Sequence, residues 1–159
     1  MTENKKTILL VDDELDVRLM LGDRLASLGY SVVTTEDVPG ALEAMKANKI
    51  DLVLSDYDLK QKLNGLDFLK VCRQSEYNYQ GPFFLGSSYH QDDLRKECER
   101  LSVEPDDIIR KPYDYDGLKL AIEKALSSSD SRAAPKFEST DEEPETYGVT
   151  YPTIENEFS

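Results

Sequence analysis

The sequence has no tryptophan, one histidine and two cysteines, and its 19 Lys and Arg are outnumbered by 32 Asp and Glu. Each shortage closes a door. A formal net charge of −13 without a basic run argues against a nucleic-acid surface and against binding to an anionic membrane. No apolar run approaches the roughly 20 residues that a membrane-spanning helix needs. The opening Met1-Thr2-Glu3-Asn4-Lys5-Lys6 leads into a short apolar run, too short for the core of a signal peptide. Cys72 and Cys98 both fall in helical patterns, as expected of reduced thiols in a cytoplasmic protein. His90 is the sole histidine, so any His-dependent triad would have to use it.

The apolar residues are unevenly spread. Residues 1–126 hold 54 of the 62, enough to bury a core, while residues 127–159 hold eight, with eight acids and two bases. The expected division is a folded domain over 1–126 and an acidic, disordered tail over 127–159. Phe137, Tyr147, Tyr151 and Phe158 are scattered through that tail, where they could dock on a partner.

Within the first part, short apolar runs alternate with helical patterns. Ile8-Leu9-Leu10-Val11 is continuous and apolar, as in a strand covered on both faces. Val17, Met20, Leu21, Leu25 and Leu28 follow at helical spacing, and Gly29 stops that helix. Strands are expected at 31–35, 50–55, 83–86 and 107–110. Helices are expected around Ala41 and Met45, Phe68 and Cys72, Leu94 and Cys98, and Leu118 and Ile122. Five strand–helix units in succession imply a doubly wound α/β fold, a five-stranded parallel sheet with helices on both faces.

In such a sheet, function gathers at the carboxyl ends of the strands. The residues just past those ends are Asp12-Asp13-Glu14, Asp56, Ser87-Ser88 and Lys111-Pro112. Three acids, a hydroxyl and a lysine thus converge on one rim from four strands.

The four segments Ile8-Leu9-Leu10-Val11-Asp12-Asp13-Glu14, Leu52-Val53-Leu54-Ser55-Asp56, Pro82-Phe83-Phe84-Leu85-Gly86-Ser87 and Asp106-Asp107-Ile108-Ile109-Arg110-Lys111-Pro112 carry a family likeness. Each alone is common, but together, in this order and spacing, they resemble the receiver domain of bacterial two-component response regulators over residues 5–126. The resemblance implies a flavodoxin-like fold with strand order 2-1-3-4-5 and a phosphoryl group accepted at Asp56 from a histidine kinase or a histidine phosphotransfer protein. It implies Mg2+ held by Asp13, by Asp12 through water, by Asp56 and by the main-chain carbonyl of Asp58, with Lys111 and Ser87 completing the site. A downstream protein target is implied but not specified. That strand order sets Asp12, Asp13 and Asp56 side by side, so without a cation at least one should resist ionisation.

The sequence also departs from the family pattern. The loop from Tyr57 to Asn64 lacks the usual proline and is one residue longer than the commonest version. Glu104-Pro105 replaces a Gly-Ala pair. Ile108, three residues before the lysine, stands where an aromatic usually couples to the hydroxyl. Two alternatives stay open: a receiver-like scaffold that works without phosphorylation, and a small Mg2+-dependent phosphatase. The second rests on the likeness of Asp56-Tyr57-Asp58 to the Asp-x-Asp of haloacid-dehalogenase-type enzymes. No separate catalytic domain is expected.

Overall fold

The computed structural model describes residues 5–60, 62–74 and 76–142, with side chains to residue 128. The order of elements is β1 (Thr7–Val11), α1 (Leu15–Ser27), β2 (Ser31–Thr35), α2 (Val38–Ala47), β3 (Leu52–Asp56), α3 (Gly65–Cys72), β4 (Phe83–Ser87), α4 (Gln91–Leu101), β5 (Asp107–Arg110) and α5 (Tyr115–Glu142). The strands form one parallel sheet in the order β2-β1-β3-β4-β5. This is the doubly wound, flavodoxin-like arrangement expected from the alternation.

The sheet separates two apolar layers because side chains alternate along each strand. Leu9, Val11, Val53, Phe83 and Leu85 face Phe68, Leu69 and Cys72 of α3 and Val38 and Ala41 of α2. Ile8, Leu10, Leu52, Leu54 and Phe84 face Leu21 and Leu25 of α1 and Leu118, Ile122 and Leu126 of α5. Ile8 to Val11 are at most 1% exposed, as a continuous apolar run on a central strand demands. Cys72 and Cys98 are free thiols buried in the first layer, and burial pushes the Cys72 thiol up to about 12.

Capping explains several helix starts. Asp37 accepts from Gly40 N–H at 2.8 Å with Pro39 in the first turn of α2. Asn64 and Asp67 form a reciprocal box at the start of α3.

The details differ from the sequence reading in three places. The third strand begins at Leu52, because Asp51 uses its carboxylate and amide on Thr7 before the ladder starts. Met20 is 58% exposed, so the buried stripe of α1 is Leu21 and Leu25 alone. The last helix runs through residue 126, and Leu126 is the last of its buried side chains among those described. Residues 143–159 of the expected tail lie outside the described residues.

Candidate functional site

Strands β1 and β3 are neighbours and end at the same level, Val11 opposite Ser55. Asp12 follows β1 and Asp56 closes β3, so two carboxylates from separate segments meet, and Asp13 joins them. One carboxylate oxygen from each of Asp12, Asp13 and Asp56 lies within 4.8 Å of the others. Asp12 is 1% exposed; its Oδ1 accepts from Glu14 N–H at 3.0 Å and its main-chain carbonyl accepts from Arg18 Nη1 at 2.7 Å.

Lys111, carried to the same rim by β5, is the positive charge of this cluster. Its Nζ stands 3.1 Å from Asp12 Oδ2 and 3.4 Å from Asp56 Oδ2. Burial opposes the ammonium, but the Asp56 and Asp12 carboxylates outweigh it and hold the lysine above its ordinary range. For Asp56 the balance runs the other way. Burial is the largest influence and the Asp12 and Asp13 charges add to it, so despite Lys111 the carboxyl is pushed up to about 6. Asp56 is thus an acid that resists ionisation, through burial first and crowding by neighbouring carboxylates second.

The same cluster suits a hard divalent cation. Such ions take oxygen ligands, and carboxylates on one side leave room for water. Asp13 Oδ1 is buried without a hydrogen-bond partner, an acceptor with nothing to accept from. Asp58 follows in the loop after β3; its exposed side chain accepts from Lys60 N–H at 3.1 Å rather than joining the three acids.

Ser87, the last residue of β4, is 3% exposed, and its Oγ accepts from Tyr89 N–H at 2.9 Å. Its carbonyl accepts from Lys111 N–H at 2.9 Å, which ties the hydroxyl and the ammonium to one backbone link. A cleft of about 480 Å³ opens over these groups, lined by Asp13, Asp56, Ser87, Lys111, Tyr89 and Tyr113 among others. Tyr89, 51% exposed, meets Tyr57 edge-on at 5.5 Å between ring centroids, forming one wall.

Backbone packing holds the floor of the cleft. Tyr57 N–H donates to Gly86 O and Gly65 N–H to Tyr57 O, both at 2.8 Å. Gly65 lies so close that a Cβ there would stand 2.5 Å from the Asp56 carbonyl oxygen. The structure thus brings Asp13, Asp56, Asp58, Ser87 and Lys111 around one cleft, with the buried Asp12 paired to Lys111 beside it. Tyr113 passes unremarked in the sequence, and Gly86 reads there only as part of a strand. An isolated glycine inside Phe-Phe-Leu-Gly-Ser was the available clue, since such a glycine marks close approach by another group.

The response regulator receiver domain family matches residues 8–123, and the chain belongs to that family of two-component signalling modules. A probable chemotaxis protein CheY of Rhizobium etli is 28% identical over 125 residues, covering 78% of this chain and 95% of that one. A probable transcriptional regulator ycf27 of Cyanophora paradoxa is 30% identical over 128 residues, 80% of this chain and 51% of its own. The chain therefore spans nearly all of the first relative and about half of the second. Among solved structures, the receiver domain of a sensor histidine kinase from Pseudomonas aeruginosa, with magnesium coordinated in its active-site cleft, superposes with a TM-score of 0.69. It is 23% identical, and the match covers 78% of this chain and 99% of that one. A CheY-like receiver protein from Methanospirillum hungatei gives a TM-score of 0.72 at 21% identity, covering 81% and 99%. These two share the fold. Among the described residues no helix is long and apolar enough to cross a membrane.

Proposed function

We propose that this protein is a phosphoacceptor of a two-component or phosphorelay system, acting in the cytoplasm, and that Asp56 is the residue modified. The observation that carries the reading is the grouping of Asp12, Asp13 and Asp56 with Lys111 Nζ bridging two of them. The donor is a phosphohistidine on a histidine kinase or a histidine phosphotransfer protein. One Asp56 carboxylate oxygen forms a P–O bond as the donor's P–N bond breaks, and that electron pair stays on the imidazole nitrogen.

Transfer of a phosphoryl group asks mainly for position and positive charge. Lys111 supplies charge from this chain, and Ser87 supplies a hydroxyl that can donate to a phosphoryl oxygen. Asp12, Asp13, Asp56 and the main-chain carbonyl of Asp58 are the groups that would hold Mg2+, which neutralises charge on the transferring group when bound. Hydrolysis by water returns the Asp56 carboxylate and releases phosphate. The output then passes by protein–protein contact to a target still to be identified.

A second reading has one observation in its favour. Ile108, at the position of the usual coupling aromatic, is 6% exposed and already packed, so a receiver-like scaffold that needs no phosphate is the competing account. Intact-mass spectrometry after incubation with acetyl phosphate and magnesium separates the two. The phosphoacceptor reading expects a labile phosphoryl adduct on the native chain, absent in Asp56→Asn, weakened in Asp13→Asn and suppressed by chelator. An adduct that persists in Asp56→Asn, or forms equally well in chelator, overturns it.

A further inference from the structure

Among the described residues, two buried side-chain polar atoms have no hydrogen-bond partner: Asp13 Oδ1 and the Tyr113 hydroxyl. The first belongs to the acid cluster and has a cation to wait for. The second has no such account. A phenol buried without a partner costs folding stability, and substitution by phenylalanine would remove that cost. Where such a group persists, a functional state that satisfies it is the physical explanation to test.

The hydroxyl's position is built into the sheet. Gly86 lies in β4, one residue before Ser87, and is the Cα partner of Asp56 in the β3–β4 register. Having no side chain, it leaves a gap on the face shared with α1 and α5, and the tip of Tyr113 fills it. A Cβ on Gly86 would collide with the Tyr113 hydroxyl and stand 3.0 Å from its Cζ. The phenol tip therefore sits over the strand position directly beside Asp56. The ring also flanks the lysine, with Lys111 Nζ 5.6 Å from its centroid. Tyr113 lines the same cleft as Asp56, Ser87 and Lys111.

In this arrangement Lys111 occupies Asp56 Oδ2, and Tyr113 has nothing to donate to. A phosphoryl group entering the cleft offers Lys111 a stronger partner than one carboxylate oxygen. We propose that Tyr113 is a positioning residue of this site, its hydroxyl donating to Asp56 Oδ2 when Lys111 turns from that oxygen to the phosphoryl group. The hydrogen bond fixes one carboxylate oxygen and leaves the other to form the P–O bond. Gly86 is the residue that makes room for it. This inference rests on Asp56 being the phosphoacceptor.

The test compares the full-length native chain with Tyr113→Phe, which keeps the ring and its packing. Acetyl phosphate with magnesium chloride is the phosphoryl source, and adduct formation is followed by intact mass. The initial rate should fall about tenfold in Tyr113→Phe, the effect of losing one hydrogen bond to a charged group. The melting temperature of the unmodified variant should be unchanged or higher. A tyrosine 13Cζ resonance that is missing in Tyr113→Phe should shift when magnesium and beryllofluoride are added to the native chain. A variant rate within about twofold of native overturns the proposal. So does a slower rate accompanied by a lower melting temperature and an unmoved Cζ resonance, which is the pattern of a purely structural role. No adduct on the native chain would instead overturn the acceptor reading, and this one with it.

Discussion

Lys111 Nζ lies 3.1 Å from Asp12 Oδ2, a contact between residues 99 apart in the chain that pins the end of β5 to the end of β1 across β3 and β4. The same ammonium reaches Asp56, so one cation answers two buried carboxylates. Asp13 is left without a share. Charge within the site is therefore unbalanced by design of the fold, and both stability and reactivity should respond to whatever restores the balance.

The first consequence is a pH-dependent stability in the absence of metal. Asp56 titrates at about 6 in the fold, against 3.8 for an ordinary aspartate. Protonated in both states below the unfolded value, it costs nothing there; as pH rises from the unfolded to the folded value, the fold must accommodate a buried and crowded carboxylate and loses stability, fully so above the folded value. In chelator, Asp56→Asn should therefore exceed the native chain by about 1–3 kcal/mol at pH 7.5, with the gap closing toward pH 4. Urea unfolding at a series of pH values measures it. Magnesium should narrow the gap at pH 7.5, because a ligand of the native acids stabilises the native chain alone. A gap that is constant across pH would show that the crowding is relieved by other means.

A second expectation concerns how long the modified state lasts. Tyr89 follows Ser87 by two residues and stands at the mouth of the cleft, braced edge-on by Tyr57. A ring there limits the approach of water to phosphorus. Tyr89→Ala should shorten the aspartyl-phosphate half-life several-fold, whereas Tyr89→Phe should not. Decay of the adduct by mass, after removal of the phosphoryl donor, gives the two half-lives. An unchanged or longer lifetime in Tyr89→Ala would retire the shielding role.

The third concerns output. A modification shifts a conformational equilibrium only through contacts that differ between the two states. Ile108 is β-branched, stiff at its first torsion and buried, so it has little room to swing. Its carbonyl accepts from Gln91 Nε2 at 3.3 Å, which links α4 to β5 through a glutamine side chain on a backbone carbonyl rather than through an aromatic ring. Beryllofluoride with magnesium should thus give modest amide shifts over α4, β5 and the start of α5, and Ile108→Tyr should enlarge them. A large native response across residues 94–120, undiminished in Ser87→Ala, would contradict this.

The sequence by itself determined the alternation of strand and helix, because buried parallel strands must be continuously apolar and their covering helices must show a 3.6-residue stripe. It also placed Asp12, Asp13, Asp56, Ser87 and Lys111 just past or at strand ends, where a parallel sheet brings them to one rim. The tertiary structure decided what pattern cannot encode. Met20 keeps helical spacing yet stands exposed, because α1 meets the sheet mainly through Leu21 and Leu25. Asp56 carries a raised pKa, because the balance of burial against the nearby charges is a matter of distances. The pairing of Gly86 with Tyr113 joins residues on different segments, and only register and packing put a phenol over a glycine beside Asp56. Local rules act along the chain, while charge balance and steric fit act across it.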